Sequence, residues 1–573
     1  MKKIIFFISL LVTLSFYAPA MAAVYYVSPS GSDTNPGTMV QPWQHIAYAT
    51  CGGDIEWCPQ VGTNPNKLQA GDTLYVRGGT YYERNIRIDN SGAAGSPITI
   101  TNYPGETPIV DGGFTNSVIM ASGNLPEYSF LINSPGSGYT SGAANVAVTG
   151  GSGTGMTVNI GYSASGALQY PSINTLGTGY KLGEVVSVSG GVGGTLKLWD
   201  DANEAGVFDL GEGQSYQIIN GLNVEHGWKG NVLVGDTYSG HDITIQNCDL
   251  HDVIGEDNSG EVFLSHGIGN IVIQDNKLHS AIIAPTQTEV TTNNDNGVFV
   301  ENNIQTAVIR NNEMYNVNQG IYFKYQQPNL SAPPFVVRNN FIHDMVSSPT
   351  YDGESAAIFI NNWGTRVTNN LIYNSPSTGI STGASFSCGG HSNGGAFISH
   401  NTIVNTAEGV SVAWYSACAA HPPVDNIFRD NIIYNFTDAY QRGVSIWQWD
   451  NSYTADQSVT DFDHNLLYSA SYSSPIMTNC NRAYCYASLA ACTLNVCTNN
   501  IGQAPVFYNA GFSQAADFAL FPGSPGKNAA SDGTDVGADV YGVGIPQPIN
   551  GRLQMGGPGE RMSTSGGGRI LIN

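Results

Sequence analysis

Charge is scarce in this chain, and basic charge scarcer still: of 573 residues, 21 are Lys or Arg and 44 are Asp or Glu. The formal net charge of −23 excludes a nucleic-acid surface, because the phosphate backbone has to be met by a basic one. It also opposes direct binding of a polyanionic glycan unless a bound cation reverses the local sign. Beyond the first two dozen residues no apolar run reaches about 18 residues, so no transmembrane segment is expected. Charged residues at 11% and 69 glycines leave little material for long amphipathic helices. They suit stacked strands and tight turns.

The one long apolar run stands at the start. MKKIIFFISLLVTLSFYAPAMAA has a basic beginning, an apolar centre and a small-residue A-M-A site, the layout of a secretory signal peptide over residues 1–22. A secreted protein, extracellular or periplasmic, is expected. In such a compartment nine cysteines favour disulfides. Cys51 would pair with Cys58, Cys388 with Cys418 in the equivalent loop one repeat on, and Cys480, Cys485, Cys492 and Cys497 among themselves. Cys248 is left over and reads as a buried thiol.

What the chain has in abundance is a repeat of about 30 residues, from ITIQNCDLHD at Ile243 to DFDHNLLYS at Asp461. Aligning the apolar positions puts Asn276, Asn312, Asn340, Asn370, Asn401, Asn431 and Asn465 in one column, with Cys248 in the same place one repeat earlier. A primary amide carries donors and an acceptor, so identical Asn stacked at strand spacing can hydrogen-bond along the column. Short period-2 strands at a fixed repeat mean a solenoid whose coils bury their apolar face against one another.

These repeats resemble the secreted right-handed parallel β-helix proteins of the polysaccharide lyase and glycoside hydrolase type. YYVSPSGSDTNPGT from Tyr25, QPWQHIAYA and GDTLYVRGGTYYE look like the N-terminal cap and first coil of that group. FALFPGSPGKNAASDGTDVGAD from Phe518 looks like its closing coil. The resemblance implies an all-β parallel helix with cap and first coils over 23–120, a main helix over 214–545 and a tail at 546–573. It implies a polysaccharide as partner but no single reaction, since this fold carries many functions.

Between these parts the helix is interrupted by a Gly-rich stretch, 121–213. NSPGSGYTSGAANVAVTGG from Asn133 answers to NTLGTGYKLGEVVSVSGG from Asn174, which reads as an inserted β module. Its exit, DANEAGVFDLGE, has calcium-loop spacing. Asp201, Asn203, the Val207 carbonyl, Asp209 and Glu212 fall at ligand positions, with Gly206 at the sharp turn and Ala205 breaking the pattern. A structural Ca²⁺ or a solvated acidic turn both fit.

Each repeat reads as strand, Asn turn, strand, long loop, then a third strand. Period-2 alternation gives the third strands two outward columns. One is Phe263, Phe299, Tyr322, Phe359, Ser381, Ser411 and Ser445; the other is Ser265, Glu301, Lys324, Asn361, Gly383, Ala413 and Trp447. Trp363 and Trp414 lie just past the same strands. The aromatics read either as packing under the long loops or as a platform for sugar rings. Lys324 and Glu301 stand among them, with Asp295, Asp352 and Glu354 on the loops that border them. In the group that the sequence resembles, the active site lies on this sheet.

Two reactions fit different subsets. β-Elimination on a uronate needs a base, for which Lys324 is the candidate, and a cation held by Asp295, Glu301, Asp352 or Glu354. Glycoside hydrolysis needs two carboxyls flanking the bond, which Glu301 with Asp352 or Glu354 could supply. The alternative is a non-catalytic glycan-binding or adhesin-like surface protein. His251, His279 and His343 alternate with Tyr315, Tyr373, Tyr434 and Tyr468 in a further outward stack, read as structural.

Overall fold

In the computed structural model the described residues are 22–51, 64–112, 129–151, 153–160, 166–168, 172–175, 185–199, 206–211, 213–227, 229–235, 240–253, 259–265, 267–280, 295–301, 304–324, 335–346, 356–383, 394–414, 425–437, 443–448, 459–470, 477–479, 484–486, 489, 492, 494, 496–509, 511–543, 562–565 and 569–572. The expected signal peptide therefore lies outside them, except for Ala22. So do Cys58, Cys388 and Cys418.

The first strands of successive coils stack into a 12-stranded parallel sheet running from Val24–Val27 to Val459–Asp463. Their alternation is visible in Ser215–Asn220, where every second side chain is buried and its neighbour is not. Inward Ile219, Ile243, Ile245, Ile271, Ile273 and Ile309 are wholly buried in one continuous core. Each such aliphatic side chain contributes roughly 1.5–3 kcal/mol relative to an exposed one.

At the turn after the first strand the Asn column is a hydrogen-bonded ladder. The Asn276 Nδ2 donates to Asn312 Oδ1 at 3.0 Å, and the Asn276 amide nitrogen donates to the same oxygen at 3.1 Å. The pattern repeats through Asn340, Asn370, Asn401, Asn431 and Asn465. Asn500 adds a final rung, accepting from the Asn465 amide nitrogen at 2.9 Å. Cys248 opens the ladder, its amide nitrogen donating to Asn276 Oδ1 at 2.9 Å. Its thiol is free, and burial pushes its pKa up to about 12, so it stays neutral. The residue before each rung turns the corner in the left-handed region: Asn247, Asp275, Asn311, Asn339, Asn369, His400, Asp430 and His464 have φ between 53° and 59°. Asn, Asp and His enter that conformation more readily than other non-glycine residues, and the corners before the Asn rungs read N-N, D-N and H-N.

The insertion is a separate six-stranded antiparallel sheet from Ser129–Ser137 to Val192–Trp199, with its own core of Tyr139, Val148, Met156, Val158, Val186 and Leu196. It falls inside one coil. That coil has its first strand at Ile98–Asn102 and its second at Pro108–Asp111. Its third, Gly206–Leu210, comes only after the module. Ile98–Asn102 pairs directly with Ser215–Asn220 of the next coil. The helix thus resumes at Gly206, within the segment assigned by sequence to the insert.

At the start, Trp43 is buried and stacks on Tyr25 at 4.7 Å. The carboxylate of buried Glu83 accepts from the amide nitrogens of Ile46 and Ala47, capping the helix Ile46–Cys51. At the other end, the segment expected to be a closing coil is not one. It folds back along the outside of the second strands, where Phe518 and Val540 pack on Phe341, Leu371 and Val404, and Ser531 bonds the Asp430 carboxylate. Its Gly and Pro content breaks up strands, and its apolar residues cover a face that the coils leave open. Of the last four cysteines, Cys492 and Cys497 form a disulfide.

Candidate functional site

The register of the third strands sets the site. Cα partners run Leu233, Phe263, Phe299, Tyr322, Phe359, Ser381, Ser411 and Ser445, which is the first outward column continued by one position. Phe263 stacks on Phe299 with ring centroids 5.1 Å apart, while Tyr322 meets Phe299 and Phe359 edge-on at 5.3 and 5.1 Å. This column is closed. Phe299 is 0%, Tyr322 5% and Phe359 2% exposed, and with Leu233 and Ala356 they form a small core of their own. The expectation that these three rings offer an open sugar platform is therefore corrected: they are buried in a cluster of their own on the outward side of the strands.

Beyond the closed rings lies the second column. Glu301 and Lys324 are Cα partners on adjacent strands, which places them about 4.8 Å apart at the backbone. Both are partly exposed. The Lys324 Nζ lies 5.8 Å from the centroid of the Phe299 ring, so the side-chain nitrogen sits at the rim of the ring stack. Further along, Gly383, Ala413 and Trp447 are partners in the same column.

The other expected residues divide as follows. Asp295 is the first residue of its strand, in register with Ser259, and its side chain lies outside the described residues. Asp352 and Glu354 lie outside them entirely, as do the side chains of Trp414 and Trp447. Trp363 is partly exposed and bridges to Gly394. Glu261, on the strand Ser259–Leu264, is wholly buried; its carboxylate accepts from Asn231 Nδ2 at 2.6 Å, a structural role inside the coil.

For the calcium spacing, Asp201, Asn203 and Glu212 lie outside the described residues. Val207 and Asp209 belong to the strand Gly206–Leu210, paired on one side with Ile86–Arg87 and on the other with Gly230–Val234. Gly206, required at a sharp turn, instead starts that strand opposite Gly230. This half of the segment is extended backbone.

The second-strand column is the other place where titratable groups gather. His251, His279, Tyr315 and His343 stack face to face at 5.0, 4.6 and 5.3 Å. Carboxylates line it, with Asp252 2.8 Å from His251, Asp249 2.9 Å from His279, and Asp344 2.9 Å from His343. Burial alone would lower the His251 and His343 pKa values. The hydrogen bonds to Asp252 and Asp344, the 3.5 Å contact of His343 with Glu313 and the charges of the surrounding carboxylates together outweigh it and raise both. Arg310 stacks in the ladder of first strands, donating to Gln274 Oε1 at 2.9 Å.

Residues 206–393 match the family model described as the right handed beta helix region. With three stacked parallel strands per coil and an internal Asn ladder, the chain is a right-handed parallel β-helix protein. Within that class it is 37% identical over 105 residues to a pectate lyase, PEL9, of Emericella nidulans, an alignment covering 18% of this chain and 22% of that protein. It is also 37% identical over 87 residues to the uncharacterized protein YwoF of Bacillus subtilis, covering 15% of each chain. The chain thus aligns with less than a quarter of the length of these curated relatives. Similar solved structures include pectate lyase Pel9A, with a TM-score of 0.46 and 12% identity over 90% of this chain and 95% of that one. A rhamnogalacturonan lyase gives 0.44 and 14% over 85% and 90%. Among the described residues no helix is long and apolar enough to cross a membrane.

Proposed function

We propose that this is an exported carbohydrate-active enzyme that cleaves a uronate-containing polysaccharide by β-elimination on the third-strand face. The observation that carries the reading is the in-register placement of Glu301 beside Lys324 at the rim of the closed ring stack. A base and a carboxylate on adjacent rigid strands are held at fixed separation without a mobile loop, which favours a reproducible reacting geometry. The local likeness to a protein named pectate lyase supports a uronate as the sugar.

In this reaction the Lys324 amine takes the proton from the carbon next to the uronate carboxyl group. The electron pair left behind forms a carbon–carbon double bond as the bond to the departing sugar oxygen breaks, and that oxygen gains a proton from solvent. Glu301, one strand away, orients the ammonium that forms, and a cation on the uronate carboxyl group, for which Glu301 is a candidate ligand, would neutralise that group. The rings beneath serve as a rigid floor for Lys324 and do not themselves stack on sugar.

Separate substitutions test this. Lys324→Ala should abolish formation of unsaturated uronate ends while glycan binding persists, and Glu301→Gln should weaken turnover less. Full activity in Lys324→Ala with loss in Glu301→Gln would instead favour hydrolysis with Glu301 as one of two carboxyls. Activity and binding unaffected by either change would leave the face structural.

A further inference from the structure

We propose that Asp111, Glu225 and His226 form a binding site for a divalent transition-metal ion, with zinc as the representative, at the neck of the inserted module. The site is separate from the third-strand face, because these residues close the second strands of two adjacent coils. Asp111 and Glu225 are Cα partners on Pro108–Asp111 and Asn223–Glu225. Asp111 is the last residue of its strand before the module leaves the helix, and Gly112 packs so tightly that a Cβ there would lie 2.5 Å from the His226 carbonyl oxygen and 2.7 Å from Val207.

One donor atom from each of the three side chains lies within 4.8 Å of the others. The His226 Nδ1 is 3.0 Å from Asp111 Oδ1 and 4.0 Å from Glu225 Oε1. Tetrahedral bonds of about 2.1 Å put neighbouring ligand atoms about 3.4 Å apart, so an ion at the centre needs only small shifts of these atoms. An imidazole nitrogen with two carboxylates is a donor set for zinc-like ions; calcium prefers six to eight oxygens.

The surroundings are built to hold Glu225. Its second oxygen, Oε2, lies 3.4 Å from Nε2 of His251, whose Nδ1 is 2.8 Å from Asp252 and whose ring stacks on His279 at 5.0 Å. A carboxylate ligand oriented by a second, anchored imidazole is the outer-shell arrangement that metal sites use. His226 occupies a left-handed corner, φ 59°, for which the equivalent corners carry Asp252, Asn316, Asp344, Asn374, Asn405 and Asn435. An ion here would tie the coil that the module interrupts to the coil after it.

The test uses the full chain, stripped of metal by chelation and titrated with zinc at a pH above 7. One equivalent should bind and raise Tm, and cobalt in its place should give the visible absorption of a mixed nitrogen and oxygen site. Asp111→Asn and His226→Asn should each weaken zinc binding by roughly ten-fold or more and remove the zinc-dependent rise in Tm. His226→Asn installs the residue that equivalent corners already use, so its fold should survive, and an unaltered Tm without zinc would show it. No saturable binding would mean an ion-pair cluster only and overturn the proposal. Binding that survives both substitutions would place the ion elsewhere, for instance on the His251 column, and overturn it equally.

Discussion

Asn370→Ala removes one rung from the middle of the ladder, and the structure gives the cost. The Asn370 side chain is wholly buried. Its Oδ1 accepts from the amide nitrogen and Nδ2 of Asn340 at 3.1 and 2.9 Å, and its Nδ2 donates to the Val337 carbonyl and to Asn401 Oδ1, both at 3.0 Å. Asn401 keeps the Asn370 amide as a donor at 3.0 Å, and Asn340 Nδ2 keeps the Ile309 carbonyl. What is left stranded is the Asn340 amide N–H, together with the share of the Val337 carbonyl that Asn370 satisfied. Each buried group without a partner costs about 1–3 kcal/mol, so the expected loss is about 2–5 kcal/mol. Coils contact only their neighbours, so much of that loss should appear as local opening. Hydrogen exchange at the Asn340 amide should then accelerate by roughly thirty-fold to several thousand-fold, and the denaturation midpoint should fall. Lys277→Ala, on an exposed strand position, is the control and should change stability by less than about 0.5 kcal/mol. Exchange in Asn370→Ala within a factor of about three of wild type, with an unmoved midpoint, would refute the rung-by-rung account.

The second-strand column should make stability pH-dependent. His251 and His343 are raised in the fold, so their contribution is present below about pH 6.5 and lost as pH rises through the folded values. Glu313 is lowered, chiefly by the His343 hydrogen bond, and Asp249 is lowered by its bond to His279 despite burial. Their contribution is present above about pH 4 and lost as pH falls through the folded values. Tm should therefore peak between these limits, and His343→Gln should flatten its decline on the alkaline side; an unchanged profile would remove the column from the explanation. Mass mapping of exported protein should recover Cys492 linked to Cys497, and recovery of both as free thiols would contradict the structure. A calcium-selective chelator should leave Tm unchanged, because Gly206–Leu210 is paired strand. A drop that Asp201→Ala abolishes would restore the calcium loop.

The repeat was legible because a solenoid writes the same physics into every coil. Seven Asn, their N-N and D-N corners and the alternating third strands each carry a local signal, and the column from Phe263 to Ser445 follows from counting residues. Asn500 escaped, since the Cys-rich segment before it lacks the flanking strand pattern. Burial of Phe299, Tyr322 and Phe359 was not legible either: alternation tells inside from outside of a coil, and what packs over the outside is a tertiary fact. The fold-back of Phe518 and Val540 onto Phe341 and Leu371 is of the same kind. The pairing of Asp111 with His226 was hidden by distance along the chain, 115 residues, because the module interrupts that coil between its second and third strands. The cue was the likeness of PIVDGG to LNVEHG, two second strands ending in an acid.

The central claim is that the third-strand face around Glu301 and Lys324 cleaves an acidic glycan by elimination. Purified protein incubated with a panel of uronate and neutral polysaccharides, followed at once by ultraviolet absorbance of unsaturated uronate and by reducing ends, tests it most directly. The account predicts that both signals rise together on a uronate polymer and that neither does on Lys324→Ala. Reducing ends without the ultraviolet signal, or no product on any polymer, would contradict it.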